Sequence, residues 1–492
     1  MIRFIDSIKK CVTPMAITFS LVAAPALVFA SSAAPEKAPP AETSYRADGC
    51  SDFYGAEFQN ELDDVTGSVE IDGNEVILSQ FAAENLALRQ QMMGDSEKFI
   101  FLYTLLLEPN EATTDQIVTM IERANPPVDA RGTPTRDAVE VDVVYNEIAQ
   151  VLSGDLFSGE GLAPVTLMRN AGVNAIGYWA RNYSNPFEFL VSGSHKKSLI
   201  VDSSEYGAEA LVGGRNIGDA YQGVLENAQA GDYPDLWKDT DILIRGAAVH
   251  TITEDFIKRF NIQSDVYEIP CNQHRSSCPQ YYPAVSKENP NTNMALRVVE
   301  NEPDDNNGEG FYGINALFDK MLKKAGRSID IQTPYFIPQE PLLNELYAAL
   351  DAGVRVRILT NSRDANDLGS PLFYASAYYF DELLERGAEI YLWDVEKKSS
   401  PIARTMHSKT LVVDSCVFAA GSFNLDGRAY NWENEYFFPV FDEGFGQVGQ
   451  NMFDSDLAVN GVFPISTQWM DNTFSWYERV MMQALALGSS LL

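Results

Sequence analysis

The chain has 492 residues, 45% of them apolar, and a formal net charge of −33. That length allows two domains of ordinary size, and that apolar content is normal for a protein with sizeable buried cores. A surface this acidic repels polyanions, so extended nucleic acid is disfavoured as a partner unless a local basic groove exists, and the acidity itself serves the solubility of an exported protein.

Taken in chain order, the N-terminus reads as a secretory signal. Arg3, Lys9 and Lys10 form a basic start, an apolar stretch runs through Leu21, Val22, Leu27, Val28 and Phe29, and Val28-Phe29-Ala30 resembles a cleavage site. Residues 1–30 are therefore expected to direct export to the periplasm, the outer envelope or the medium, with an uncleaved membrane anchor as the alternative. No later segment is apolar enough to cross a bilayer. Residues 31–49, rich in Ala, Pro, Ser and Glu, read as a flexible leader. Of five cysteines, Cys11 falls in the signal, and the other four suit disulfides in an oxidising compartment. Cys271 and Cys278 share a short loop and are expected to pair, which leaves Cys50 with Cys416. A zinc set of Cys271, His274 and Cys278 lacks a second cysteine pair to complete it.

Phe99 to Leu107 reads as a strand, Thr114 to Ala124 as a helix and Val139 to Tyr145 as another strand. A break follows near 283–311, with Pro283, Pro290, Asp304-Asp305 and Asn306-Asn307-Gly308. It divides an N-terminal domain, 50–290, from a C-terminal one, 312–492, through a linker at 291–311. The second half repeats the first. Ser328 to Thr333 is a strand, and a helix opens near Pro341 and stops before Gly353, with Leu342, Leu343, Leu346 and Leu350 as its apolar side. Val354 to Leu359 is the next strand. Strand, helix and strand, twice, predict a duplicated α/β architecture with a partly parallel sheet. At the end, Trp469, Phe474, Trp476 and Tyr477 suit either contact with a membrane or a core, and their helical spacing favours core.

One short pattern occurs once in each half. His195-Lys196-Lys197-Ser198-Leu199-Ile200-Val201-Asp202 and His407-Ser408-Lys409-Thr410-Leu411-Val412-Val413-Asp414 both spell HxKxxxxD. The chain has four histidines, and one would meet this pattern by composition under about one time in a hundred, so two matches are not chance. On a strand, residues two apart share a face, which projects His195 with Lys197 and His407 with Lys409. A nucleophile beside a cation suits attack on a phosphate. A second repeat follows: Gly213-Gly214-Arg215-Asn216-Ile217-Gly218-Asp219 answers Gly421-Ser422-Phe423-Asn424-Leu425-Asp426. Glycine lets backbone approach an anion, Asn and Ser supply neutral donors, and Glu433 and Glu435 downstream are carboxylates able to hold a histidine in one tautomer.

Two HxKxxxxD motifs, each followed by GGxN or GSxN, resemble the phospholipase D superfamily. Thr333-Pro334-Tyr335-Phe336-Ile337-Pro338, Gly421 to Arg428 with Asn431 and Glu435, and Trp237-Lys238-Asp239-Thr240-Asp241 with Gly246-Ala247-Ala248-Val249 are similar to its cardiolipin synthase-like branch. The resemblance spans most of 95–445 and is weak between 108 and 190. It implies two duplicated phospholipase D-like α/β domains, each a mixed, mostly parallel sheet flanked by helices, with the active site at their pseudo-two-fold interface. It also implies His195, Lys197, Asp202, His407, Lys409 and Asp414 as the catalytic set, with His195 as nucleophile, His407 as acid, and the two aspartates bracing the site across the halves. Asn216, Asn424 and Ser422 would bind phosphate, and Glu435 and Asp219 would orient the histidines. No metal or cofactor is required. The expected substrate is a phospholipid at a membrane surface, cleaved to phosphatidic acid by water or transferred to an alcohol as in cardiolipin synthesis. A secreted nuclease of the same chemistry would need a basic track with stacking aromatics. A non-catalytic, lipid-binding envelope protein would be expected to have lost at least one motif residue. His250 and His274 read as structural. Arg215 and Arg428 suit either a lipid headgroup or surface ion pairs.

Overall fold

The apolar runs become the strands of an α/β fold, seen in a computed structural model that describes residues 45–153, 159–178, 192–203, 207–222, 236–266, 293–303, 310–395 and 404–488. In chain order the first half gives β1 (Ile71–Ser79), β2 (Phe99–Thr104), β3 (Glu140–Asn146), β4 (Asn174–Tyr178), β5 (Gly193–Ser194), β6 (Ser198–Ser203), β7 (Gly207–Gly213), β8 (Trp237–Lys238) and β9 (Asp241–Gly246). β10 (Met294–Leu296), β11 (Val299–Glu302) and β12 (Phe311–Tyr312) follow. The second half gives β13 (Ser328–Gln332), β14 (Arg355–Asn361), β15 (Glu389–Trp393), β16 (Thr405–Met406), β17 (Thr410–Val413), β18 (Val417–Gly421), β19 (Glu433–Phe441) and β20 (Val462–Pro464).

β2, Phe-Ile-Phe-Leu-Tyr-Thr, is buried along its whole length, the pattern of a strand covered on both faces. β3 pairs parallel to it and β4 parallel to β3, while β6, β7, β9 and β1 continue antiparallel from its other side. The order is thus β4-β3-β2-β6-β7-β9-β1. The second half repeats β4 to β9 as β15-β14-β13-β17-β18-β19, with β13, β14 and β15 parallel and the other pairings antiparallel, and adds β20 antiparallel at the β15 edge. Both sheets are mixed, with antiparallel pairings outnumbering the parallel ones. Each HxKxxxxD motif enters the antiparallel strand beside the first parallel one, β6 next to β2 and β17 next to β13. The helix Glu340–Asp351 has Pro341 in its first turn, and Gly353 adopts φ +83° just past its end, where a side chain would be strained.

The halves are joined rather than tethered. β1 continues through β10 to β19, so residues 291–311, expected as a linker, contain two strands of the sheet, and Leu296 and Val299 are fully buried. One core takes Phe101, Tyr103, Ile200 and Phe256 from the first half and Val412, Phe418, Tyr436 and Phe438 from the second. The rings of Phe101 and Phe256 stack at 4.8 Å within it. The described residues all belong to one compact unit, Ala41–Leu492. The 108–190 segment, where the family resemblance is weak, supplies β3, β4 and the helix Glu111–Ala124, counterparts of β14, β15 and Glu340–Asp351.

The end of the expected leader is docked. Arg46 donates to the Ala325 and Ala348 carbonyls at 2.7 and 3.1 Å, Ala47 N–H donates to Lys324, and Cys50 bonds Cys416. The expected Cys271–Cys278 pair, His274 and the signal segment lie outside the described residues. Among described residues no helix is long and apolar enough to cross a membrane. The terminal aromatics divide: Phe474 is buried and Trp469 half-buried, but Trp476 and Tyr477 are exposed, contrary to their reading as core. An apolar stripe of helical period looks the same in sequence whether it faces a core or solvent.

Candidate active site

Each histidine is reached through a two-residue parallel ladder shared with the other half. β5 pairs with the start of β19, Gly193 opposite Glu433 and Ser194 opposite Asn434. β16 pairs with β8, Thr405 opposite Trp237 and Met406 opposite Lys238. One residue further on, His195 N–H donates to the Asn434 carbonyl at 2.9 Å and His407 N–H to the Lys238 carbonyl at 2.6 Å. The next residue of each partner strand is an acid, and it meets the imidazole. His195 Nδ1 lies 2.9 Å from Glu435 Oε1, and His407 Nδ1 lies 2.6 Å from Asp239 Oδ2. The halves therefore exchange carboxylates: each motif's histidine is oriented by the other half.

The tautomer of His195 follows from its second partner. Nδ1 is also 3.0 Å from the Ser422 carbonyl, which only accepts, so Nδ1 carries the proton and Nε2 keeps its lone pair. Both rings are buried. Burial, then Lys197 and Lys409, hold His195 well below the usual histidine range. Burial and Lys409 also lower His407, while Asp239 opposes them. The two carboxyls differ. Burial and the nearby Glu433 push Glu435 well up. Burial also works on Asp239, but the His407 and Lys409 charges outweigh it and hold this group at about 2.

Lys197 Nζ donates to the His195 carbonyl at 2.7 Å, and Lys409 Nζ bonds the His407 carbonyl and lies 2.9 Å from His407 Nδ1. Burial brings Lys197 down to about 7 and Lys409 to about 8. A bound phosphate would restore their charge. Gly214 makes room for this arrangement, because a Cβ there would stand 2.4 Å from Asp239 Oδ1 and 3.2 Å from the Lys409 chain. Asn216 and Asn424 are buried, and the Oδ1 of each has no hydrogen-bond partner among the described residues. Asn216 Nδ2 meets the Tyr221 hydroxyl at 3.0 Å. Tyr221 and Trp237 flank His407 at ring distances of 5.5 and 5.1 Å.

Several expected roles change. Asp202 accepts from the backbone N–H groups of Glu97, Lys98 and Phe99, and Asp414 from those of Gly326, Arg327 and Ser328. Each sits at the far end of its strand and ties that strand to its own half, so neither braces the site across the halves. Asp219 accepts from Ala112 N–H and orients no histidine; Asp239 holds that role at His407. Ser422 donates its hydroxyl to Glu435 and accepts from Tyr436 N–H, so it positions the carboxyl and is not free for phosphate. Arg215 is buried on Asp241 and the backbone of Tyr221 and Asp239, a structural role. Arg428 pairs with Glu433 at 3.0 Å, half-exposed, and its charge reaches His195. His250 lies at the surface opposite Glu254.

Asp239 was missing from the expected set because Asp219, closer after the first motif, was given the orienting role by its position. The signal was present in Trp237-Lys238-Asp239 as the counterpart of Glu433-Asn434-Glu435. His195, Glu433 and Glu435 bring ligand atoms within 4.8 Å of one another, as do Asp255, Glu300 and Glu302. The first set is already engaged with Ser422 and Arg428, and the second encloses Lys196 and Arg259, so cations of the chain occupy the acidic positions.

The family described as "Cardiolipin synthase, PLD-like domain" matches residues 318–457. The major cardiolipin synthase ClsA of Bacillus subtilis is 28% identical over 328 residues, 67% of this chain and 60% of that protein. The cardiolipin synthase of Geobacillus kaustophilus is 32% identical over 301 residues, 60% of this chain and 51% of that one. Residues 318–457 thus match a domain of the phospholipase D superfamily, and the chain is similar to cardiolipin synthases over about two thirds of its length. The chain spans about 60% or less of the length of these curated relatives. Its fold is shared with the phosphatidylserine synthase of Haemophilus influenzae, at a TM-score of 0.61 and 14% identity, covering 88% of this chain and 99% of that one.

Proposed function

We propose that the protein is a phosphatidyltransferase of the phospholipase D type that acts on phospholipids through a covalent phosphohistidine. The supporting observation is the crossed pairing: two buried imidazoles, each fixed through Nδ1 by an acid of the opposite half, with a lysine beside each. His195 Nε2 attacks phosphorus while the bond to the leaving alcohol breaks, and His407 gives that alcohol its proton. His407 then takes a proton from an incoming alcohol or water, whose oxygen displaces His195. Lys197 and Lys409 neutralise the non-bridging oxygens, to which the Nδ2 groups of Asn216 and Asn424 donate. The order of roles follows the charges. His195 is pushed hardest toward its neutral, nucleophilic form, while Asp239 favours a proton on His407.

The test is turnover of phosphatidylglycerol and phosphatidylethanolamine vesicles, with and without glycerol, and products read by mass spectrometry. Exchange of the headgroup alcohol is expected, with a phosphatidyl adduct on His195 accumulating in His407→Asn. Equal turnover by wild type, His195→Ala and His407→Ala sinks the site assignment, and cleavage of nucleic acid alone sinks the lipid reading.

A further inference from the structure

The last helix, Trp476–Ala486, uses one face on the chain: Met482 and Ala486 are buried, and Leu485 packs beside Leu372 and Ala375 of the helix Ser370–Ala377. The opposite face is apolar and open. Trp476 is 78% exposed, Tyr477 64%, Val480 54% and Leu487, just past the helix end, 82%. Gln483 and Ala484 between them are also exposed. Steps of three and four residues place these side chains on one stripe. The helix's charged residues are spent elsewhere, Arg479 on Asp381 and Asp471 and Glu478 on the Ser475 cap. Single exposed apolar residues are ordinary, whereas a continuous stripe headed by Trp and Tyr is not.

The helix that bears the stripe packs by its other face on a cluster that leads toward the active site. Leu485, Leu372 and Ala375 share a cluster with Tyr335, whose hydroxyl donates to Asp367 at 2.6 Å, and the Asp367 charge acts on both His407 and Lys409. The next residue, Leu368, is 63% exposed. We propose that this stripe, together with Leu368, is the surface on which the protein seats itself in the headgroup region of a lipid bilayer. The inference rests on the phospholipid reading above, since a bilayer substrate requires the site to be brought to the membrane. Trp and Tyr join an apolar body to a polar edge, as interfacial anchors do, and Val480 and Leu487 supply the part that enters the acyl boundary. With a net charge of −33, attraction to anionic lipid is not available, so apolar insertion drives docking. Binding to anionic vesicles therefore strengthens with added salt, as repulsion is screened.

The full chain is floated with vesicles of phosphatidylcholine and phosphatidylglycerol, beside a Trp476→Ser/Val480→Ser/Leu487→Ser variant and a Leu368→Ser variant. The triple variant is expected to lose about tenfold or more in bound fraction and in vesicle turnover. It keeps wild-type turnover of a short-chain phosphatidylglycerol dissolved as monomers, which shows an intact site. Leu368→Ser gives a smaller loss of the same kind. Flotation unchanged in both variants overturns the proposal. So does a wild-type dimer that the triple variant converts to monomer without change in flotation, since the stripe then belongs to a second copy. Stripe-dependent flotation without turnover of any lipid leaves the surface standing and removes the proposed function instead.

Discussion

The two motifs share a backbone plan and differ in their surroundings. At the first, the middle residue is Lys196, buried among Asp255 at 3.0 Å, Glu302 at 2.6 Å and Glu300 at 3.6 Å, over the ring of Tyr436. At the second it is Ser408, which meets the Thr240 hydroxyl at 2.9 Å. The acids differ likewise: Glu435, beside His195, is pushed up by burial and Glu433, whereas Asp239, beside His407, is held at about 2 by the cations facing it. A duplicated scaffold has thus kept its geometry while its charges diverged. That divergence gives a physical basis for unequal duties in a pair of histidines whose sequence motifs look interchangeable.

The contrast is broken most severely at the imidazoles themselves. His195→Ala and His407→Ala are each expected to lower kcat by about 10⁴-fold or more, but with only His407→Asn retaining the adduct by mass spectrometry; adducts in both variants, or in neither, would erase the difference in roles. Next in size is Lys196→Met, which leaves the buried Asp255 and Glu302 with Arg259 but without their second cation and should cost about 3 kcal/mol of stability in denaturant titration. Ser408→Ala removes one neutral hydrogen bond and should cost about 1 kcal/mol, so equal losses at 196 and 408 would contradict the asymmetry. Asp239→Asn should reduce kcat by about 10²-fold.

The pH profile carries the smallest and most diagnostic effect. His407 must hold a proton to act as acid, and its range is lowered, so activity falls as pH rises through a value below the ordinary histidine range. Asp239 is the group that raises it, and Asp239→Asn should move that alkaline limb to lower pH. Glu435→Gln should leave the limb in place, because Glu435 faces the other ring. A limb that moves equally in both variants would mean the acids are interchangeable after all.

Much of this was legible in the residue pattern. The paired motifs located both histidines and lysines because the spacing is rigid, and Glu435 was found because a carboxylate follows the second motif at a recognisable offset. Asp239 escaped because Asp219 follows the first motif sooner and took its place, and only the β8–β16 ladder brings Asp239 to His407. Asp219 attracted the orienting role by analogy of position, yet its carboxylate serves Ala112 N–H. Ser422 looked like an anion donor because hydroxyls near glycine often are, and its acceptor, Glu435, sits on the neighbouring strand β19, a pairing the sequence does not print. Pro290 and the Asp304–Gly308 run suggested a hinge at 291–311, but β10 and β11 are short strands whose partner, β19, cannot be inferred from so few residues.

The exchange of carboxylates has an evolutionary corollary. A gene encoding either repeat alone would yield a histidine, a lysine and an acid that meet only across two copies, so a lone repeat would have to pair with itself to set its ring. Any substitution that slides β19 against β5 by a single residue would carry Glu435 to the wrong face and silence a motif whose own letters are untouched.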